Sequence, residues 1–294
     1  MPSDEITAAS AGTWTLGDLT VNRIGFGAMR LTGDAAFHLG TPSDRDRAIG
    51  VLRRAVELGV NHIDTAAFYF SRLRSANELI NRALAPYPDH LVIATKVGPG
   101  RDPSGEWLPP ARPDQLRGQV EENLRQLGRD HLDLVYLRRM PGPDSIAEHV
   151  GALAELRDAG LIRHLGISSV RPHHLAQARQ IAPIVSVQNR YGVDTDRAAD
   201  DLLRTCGEQG IAFVPYFAIT GAGREGGGVA GNDAVRAIAR ARGATPAQVR
   251  LAWTLHQGQH VLAIPGTGDP AHLADNVAAG ALRLSPQELA SLDG

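Results

Sequence analysis

Eight short apolar runs, separated by longer segments of helical character, limit what this chain can fold into more than any other feature. The runs are Arg23–Gly25, Asn61–Asp64, Leu91–Lys96, Leu132–Arg138, Ile162–Ile167, Ile184–Gln188, Ile211–Tyr216 and Val261–Ile264. They are too short for buried helices and rich enough in β-branched residues to read as strands. The intervening segments predict helices near Asp44–Leu58, Ser75–Ala85, Pro113–Leu127, Ser145–Ala159, Pro172–Gln180, Asp196–Gln209, Pro246–His256 and Pro270–Ala279. Ser43-Asp44, Ser145 and Asp269-Pro270 supply helix-start chemistry. Gly59, Gly128, Gly160 and Gly210 stand just past helix ends, where left-handed backbone is wanted.

Eight strands and eight helices over roughly 240 residues predict an α/β fold of the (β/α)8 TIM-barrel type, with all 294 residues in one domain. The rival, a doubly wound open sheet, should carry a Gly-x-Gly-x-x-Gly turn after its first strand. The chain has Gly25-Phe26-Gly27-Ala28-Met29-Arg30 there, with no third glycine in register. Ahead of the barrel, Thr13–Gly25 forms two short runs around Leu16-Gly17-Asp18, which predicts a β-hairpin plugging the barrel bottom. Residues 1–12 lack the basic start and apolar centre of a signal peptide and read as a frayed tail. Gly98–Arg112 and Ile219–Gly231 read as long loops on the catalytic rim.

Bulk properties remove several function classes. A net charge of -2 argues against a nucleic-acid or anionic-membrane partner. No stretch approaches the ~20 apolar residues of a membrane span. The single cysteine, Cys206, cannot form a disulfide within the monomer, so the cytosol is the expected compartment and packing its expected role. Nothing in the pattern speaks to oligomeric state.

The strand ends carry the chemistry. Asp64 closes the second run, Tyr69 follows five residues later, Lys96 closes the third and Arg138 the fourth. On adjacent parallel strands these four converge at one rim. An acid, two cations and a phenol in one pocket make a device for proton transfer to a polarised oxygen. The competing reading is an Asp64–Lys96 ion pair that only staples two strands.

Taken together, these residues resemble the aldo-keto reductases over essentially the whole chain. The matching pieces are His62-Ile63-Asp64-Thr65-Ala66 with Tyr69, Lys96, Gly166-Ile167-Ser168, Gln188-Asn189, and Ile264-Pro265-Gly266-Thr267 with Asn276. Leu134-Val135-Tyr136-Leu137-Arg138-Arg139, Gly27-Ala28-Met29-Arg30-Leu31 and Trp107-Leu108-Pro109 are similar to the bacterial pyridoxal reductase-like branch.

The resemblance implies an NADP(H)-dependent oxidoreductase that reduces a small carbonyl compound, with Tyr69 as proton donor and Asp64, Lys96 and Arg138 as its catalytic partners. Lys96 is expected to lower the pKa of the phenol. Arg138 departs from the family, which usually has histidine there; arginine is a permanent cation with five donors. The implied cofactor set is Gly27, Met29, Ser168, Ser169, Gln188, Tyr216, Pro265, Gly266, Thr267, His272 and Asn276. Within it Ser168 and Gln188 hold the carboxamide, Ser169 replaces the usual asparagine, and Tyr216 stacks on the nicotinamide. The helix from Pro270 offers its N-terminus to phosphate. His272 takes the place of an arginine that commonly binds the 2′-phosphate, and Gly266 replaces a basic residue of some branches. Phe70 and Trp107, with Met29, Phe68 and Phe217, are the expected substrate wall. The chain ends soon after the helix pattern Ser285–Leu292, which gives the expectation of an open pocket and broad carbonyl acceptance. Two other functions use the same residues: a Schiff-base aldolase or isomerase with Lys96 as nucleophile, and a non-catalytic cofactor-binding regulatory protein.

Overall fold

Seven parallel strands follow one another around a ring in chain order, each joined to the next through at least one helix. A computed structural model describes residues 6–34, 39–195, 197–219 and 231–293. The ring strands are β3 (Phe26–Gly27), β4 (His62–Asp64), β5 (Val92–Val97), β6 (Leu132–Arg138), β7 (Ile162–Ser168), β8 (Ile184–Arg190) and β9 (Ala212–Tyr216). The crossovers are α1 (Arg45–Glu57), α2 (Ala76–Leu84), α3 (Leu116–Leu127), α4 (Ala147–Asp158), α5 (Pro172–Arg179) and α6 (Asp200–Glu208). After β9 come α7 (Asp233–Arg242), α8 (Pro246–His256), α9 (Pro270–Ala278) and α10 (Pro286–Asp293).

The ring closes through the eighth expected run. Val261 bridges Phe213 of β9, and Ala263 bridges Ile24, both in parallel. Gly25 N–H donates to Ala263 O at 2.8 Å, and Ala263 N–H donates to Arg23 O at 2.8 Å. This run therefore pairs with both edges but yields single bridges rather than an extended strand, because Pro265 has no N–H to continue the ladder. The first strand lies slightly later than Arg23–Gly25: Phe26 and Gly27 pair with Ile63 and Asp64, while Ile24 faces Ala263.

The expected hairpin forms from β1 (Thr13–Leu16) and β2 (Leu19–Asn22), with Leu16 opposite Leu19. Leu16 and Val21 are buried in one cluster with Val92, Ala94, Leu134, Tyr136, Ala212, Val214 and Leu262, the inward-facing set of the ring. The hairpin thus seals the end of the barrel away from the strand C-termini. Asp18 at its tip is held by Arg163 at 2.7 Å and His164 at 2.6 Å.

Local chemistry accounts for the helix ends. Asp44 caps α1 by accepting from Arg47 N–H at 2.7 Å. Thr245 and Gln248 form a capping box at the start of α8. Gly59, Gly128, Gly160 and Gly210 all have positive φ, as their positions required. Two expectations need correction. The stretch read as a frayed tail contains a turn of 3-10 helix, Ala8–Ala11, with Ala8 fully buried; residues 1–5 lie outside the described residues. The sixth helix begins at Asp200 rather than Asp196, which lies outside the described residues. Helix α7 follows directly on the Ile219–Gly231 stretch, of which 220–230 are outside the described residues. Cys206 is fully buried, and burial pushes its thiol up to about 12. Among the described residues no helix is long and apolar enough to cross a membrane.

Candidate active site

The C-terminal ends of β4, β5, β6, β7 and β8 open into a cavity of about 830 Å³. That size lies in the upper part of the range for ligand pockets, roughly 300–1,000 Å³. Parallel register places the polar residues. Asp64 pairs with Ala94 two residues before Lys96, and Arg138, Ser168 and Gln188 occupy one row across β6, β7 and β8. Asp64, Tyr69, Lys96 and Arg138 all line the cavity.

Lys96 is 4% exposed and donates to Asp64 Oδ1 and, at 3.0 Å, to Thr65 O. Its ammonium lies 5.0 Å from the centroid of the Tyr69 ring. The other carboxylate oxygen of Asp64 accepts from Gln188 Nε2 at 2.8 Å. Behind these groups, a buried amide network ties the strand ends to two helices. Thr65 Oγ1 donates to Asn77 Oδ1 (2.8 Å), Thr95 Oγ1 to Asn123 Oδ1 (2.6 Å) and Asn77 Nδ2 to Asn123 Oδ1 (2.9 Å). Nothing in the sequence singled out this network, because each member is an ordinary polar residue in its own segment.

Electrostatics correct one expectation. Burial raises the pKa of Tyr69 above the ordinary phenol value; Lys96 and Arg138 pull it down but do not overcome burial. Tyr69 therefore holds its proton at neutral pH, and the cations act by stabilising the phenolate as it forms. For Lys96, burial disfavours the ammonium, but Asp64 and Tyr69 outweigh it and the pKa rises. An amine held in its charged form is a poor nucleophile, which counts against the Schiff-base reading.

The expected cofactor residues divide. Gly27, Met29, Ser168, Gln188, Tyr216, Pro265, Gly266, Thr267, His272 and Asn276 line the cavity. Ser169 is not among the lining residues; its hydroxyl lies 3.3 Å from Tyr216 Oη. Ser169 and Phe217 are the only non-glycine residues with positive φ among those described, at 62° and 61°. Such strain, about 1–3 kcal/mol each, gathers at functional sites, and here it flanks the same wall. A Cβ on Gly266 would lie 2.4 Å from Gly27 O, and one on Gly27 would lie 2.6 Å from Ile264 O. The two glycines thus let the backbones of Gly27 and of residues 264–266 pack against each other beside the cavity that both line. Gln188 uses its amide nitrogen on Asp64.

The substrate wall differs from expectation. Met29 and Phe217 line the cavity, whereas Phe68, Phe70 and Trp107 do not. Phe70 packs on the Arg101 guanidinium, 4.4 Å from the ring centroid, and Arg101 also donates to Phe68 O and Phe70 O. Arg101 draws both loops together, which turns the Phe70 ring onto itself. The Arg138 guanidinium carbon lies 5.7 Å from the Phe68 ring centroid and 5.8 Å from that of Trp107. These two rings therefore border Arg138 rather than the cavity. Four groups that the sequence reading passed over line the cavity as well: Arg30, Arg47, Arg190 and Asp275. Isolated surface arginines carry no pattern that separates them from solvated side chains.

Comparison with known proteins agrees with this geometry. The aldo/keto reductase family model matches residues 23–294. Pyridoxine 4-dehydrogenase of Escherichia coli (strain K12) is 44% identical over 293 residues, spanning 97% of this chain and 98% of that one. An uncharacterised oxidoreductase of Schizosaccharomyces pombe is 36% identical over 292 residues, spanning 99% and 92%. The crystal structure of an aldo/keto reductase from Klebsiella pneumoniae, in complex with NADP and acetate, superposes with a TM-score of 0.77 at 28% identity, covering 96% of this chain and 94% of that one. The chain belongs to the aldo/keto reductase family, and its barrel is the (β/α)8 barrel of that family.

Proposed function

We propose that this protein reduces an aldehyde or ketone to the alcohol with NADPH, and that pyridoxal is among its substrates. The observation that carries the reading is the convergence of Tyr69, Lys96, Asp64 and Arg138 on one cavity wall. The dinucleotide is supported by the Ser168 and Gln188 side chains that line the cavity and by the NADP complex of the Klebsiella pneumoniae relative. Pyridoxal is supported by the 44% identity to pyridoxine 4-dehydrogenase.

When bound, the reduced nicotinamide supplies a hydride to the carbonyl carbon. Tyr69 Oη gives its proton to the carbonyl oxygen, which becomes the alcohol hydroxyl. The resulting phenolate is stabilised by the Lys96 ammonium, which Asp64 holds charged and in place. Asp64 is fixed in turn by Gln188. Arg138 provides a fixed positive charge beside the developing alkoxide, where aimed donors act most strongly in the transition state. Tyr216 would stack on the ring, and Ser168 and Gln188 would hold its carboxamide. The protein works in the cytosol, a compartment supported by a single, deeply buried cysteine.

The test is loss of NADPH absorbance with a panel of aldehydes that includes pyridoxal. Steady aldehyde-dependent oxidation supports reduction. Cofactor binding without turnover on any aldehyde would leave the regulatory reading in its place.

A further inference from the structure

The sequence assigns the N-terminus of α9 to a cofactor phosphate, but a side chain of the protein already sits there. Asp269 caps α9, its Oδ1 accepting from Ala271 N–H at 2.8 Å and His272 N–H at 3.4 Å. Its Oδ2 is 2.6 Å from Arg47 Nη2 on the first turn of α1. These backbone N–H bonds, more than Arg47, hold the carboxyl below the usual carboxylate range. Arg47 and Asp269 both line the cavity, and both side chains are partly exposed, at 54% and 38%. Gly268 places no side chain between them and Thr267.

The pair lines the cavity at the starts of α1 and α9, whereas Asp64, Lys96 and Arg138 lie at the ends of β4, β5 and β6. The reacting carbonyl would lie against Tyr69, with the nicotinamide beside it within the part of the cavity lined by Ser168, Gln188 and Tyr216. The remaining arm runs past Pro265 and Gly266 to the junction of α1 and α9, which carries Arg47, Asp269, His272 and Asn276. A dinucleotide with its nicotinamide beside Tyr69 would lay its adenosine ribose along that arm.

The two usual ways of reading that ribose use opposite charges. A carboxylate accepts from the 2′-hydroxyl of NADH, and an arginine takes the 2′-phosphate of NADPH. This chain carries one of each, joined to one another. Resting on the cofactor reading above, we propose that Arg47 binds the 2′-phosphate of NADPH and that Asp269 competes for the same cation, so that this pair sets the choice between NADPH and NADH. The phosphate dianion displaces the carboxylate from the guanidinium fork, which suits phosphate geometry. Asp269 stays in place, held by its two backbone donors, and its charge reduces the gain. NADH leaves the pair intact and donates its 2′-hydroxyl to Asp269.

The test is a fluorescence titration of NADPH and of NADH against the whole protein, as wild type, Arg47→Ala and Asp269→Ser. Serine keeps a helix cap while removing the charge. Loss of one charged hydrogen bond corresponds to about tenfold in affinity. Arg47→Ala should therefore weaken NADPH about tenfold or more and leave NADH within about twofold. Asp269→Ser should tighten NADPH and weaken NADH. Arg47→Ala that weakens both nucleotides equally, or neither, overturns the proposal while leaving the cofactor reading intact. Wild-type protein that binds neither nucleotide overturns the cofactor reading and this inference with it.

Discussion

Gln188 on β8 and Asp64 on β4 meet across the mouth of the barrel, Gln188 Nε2 donating to Asp64 Oδ2 at 2.8 Å. Lys96 takes the other oxygen of the same carboxylate. Asp64 is therefore held from two strands, and through it the ammonium is fixed beside Tyr69. A group expected to serve the cofactor also steadies the proton donor, so the two halves of the site are mechanically one.

Removing Lys96 exposes that dependence. Both partners of the pair are nearly inaccessible, at 4% and 5% side-chain exposure. Lys96→Met leaves Asp64 buried without its counter-charge, which typically costs about 3–5 kcal/mol. Urea denaturation should show this loss, with a smaller one in Lys96→Met/Asp64→Asn, where the stranded charge is gone. If the double variant is less stable than Lys96→Met, the pair is not the source of the cost.

Arg138 separates charge from titration at the substrate oxygen. Arg138→Leu should lower kcat more than it weakens cofactor binding, because the cation acts mainly in the transition state. Arg138→His should fold, bind NADPH and acquire a rate dependence near pH ~6.5, where histidine titrates. Full turnover of Arg138→Leu on a small aldehyde would reduce Arg138 to packing against Phe68 and Trp107.

The ring was readable because parallel buried strands leave continuous apolar runs, and because Asp44 and Gly128 mark helix ends by their own chemistry. Helix α7 had comparable marks: Asn232 caps it, Val235, Ile238 and Ala239 are its buried stripe, and Gly243 ends it in left-handed backbone. The segment after the Ile219–Gly231 loop reading nonetheless has no element assigned to it from sequence. At the site, Asp64, Lys96 and Arg138 were legible because each closes a strand. Arg47 and Asp269 were not, since a helix-surface arginine and a helix cap acquire a ligand-facing role only when α1 and α9 are packed side by side. The direction of the Phe70 ring was not legible for a similar reason: the Arg101 contacts that set it join loops far apart in sequence.

His62 makes stability depend on pH. It is fully enclosed, neither ring nitrogen has a hydrogen-bond partner among the described residues, and burial lowers its pKa from 6.5 to about 4. Below pH 6.5 the unfolded chain takes up a proton that the folded chain refuses, so stability falls as pH drops from about 6.5 to about 4. The window corresponds to about 3 kcal/mol. Over that range His62→Leu should lose correspondingly less stability than wild type in urea titrations. Parallel pH profiles for the two proteins would mean that His62 is protonated in the fold.

The central claim is that Tyr69 supplies the proton. The most direct measurement is single-turnover oxidation of bound NADPH by pyridoxal or another accepted aldehyde, in wild type and in Tyr69→Phe. Phenylalanine keeps the packing, so NADPH should still bind, while loss of a positioned acid should slow turnover about 10²–10⁴-fold. The wild-type rate should hold through neutral pH and fall only above the ordinary phenol range, because burial raises the Tyr69 pKa. A Tyr69→Phe protein that turns over at a near-normal rate would contradict the account.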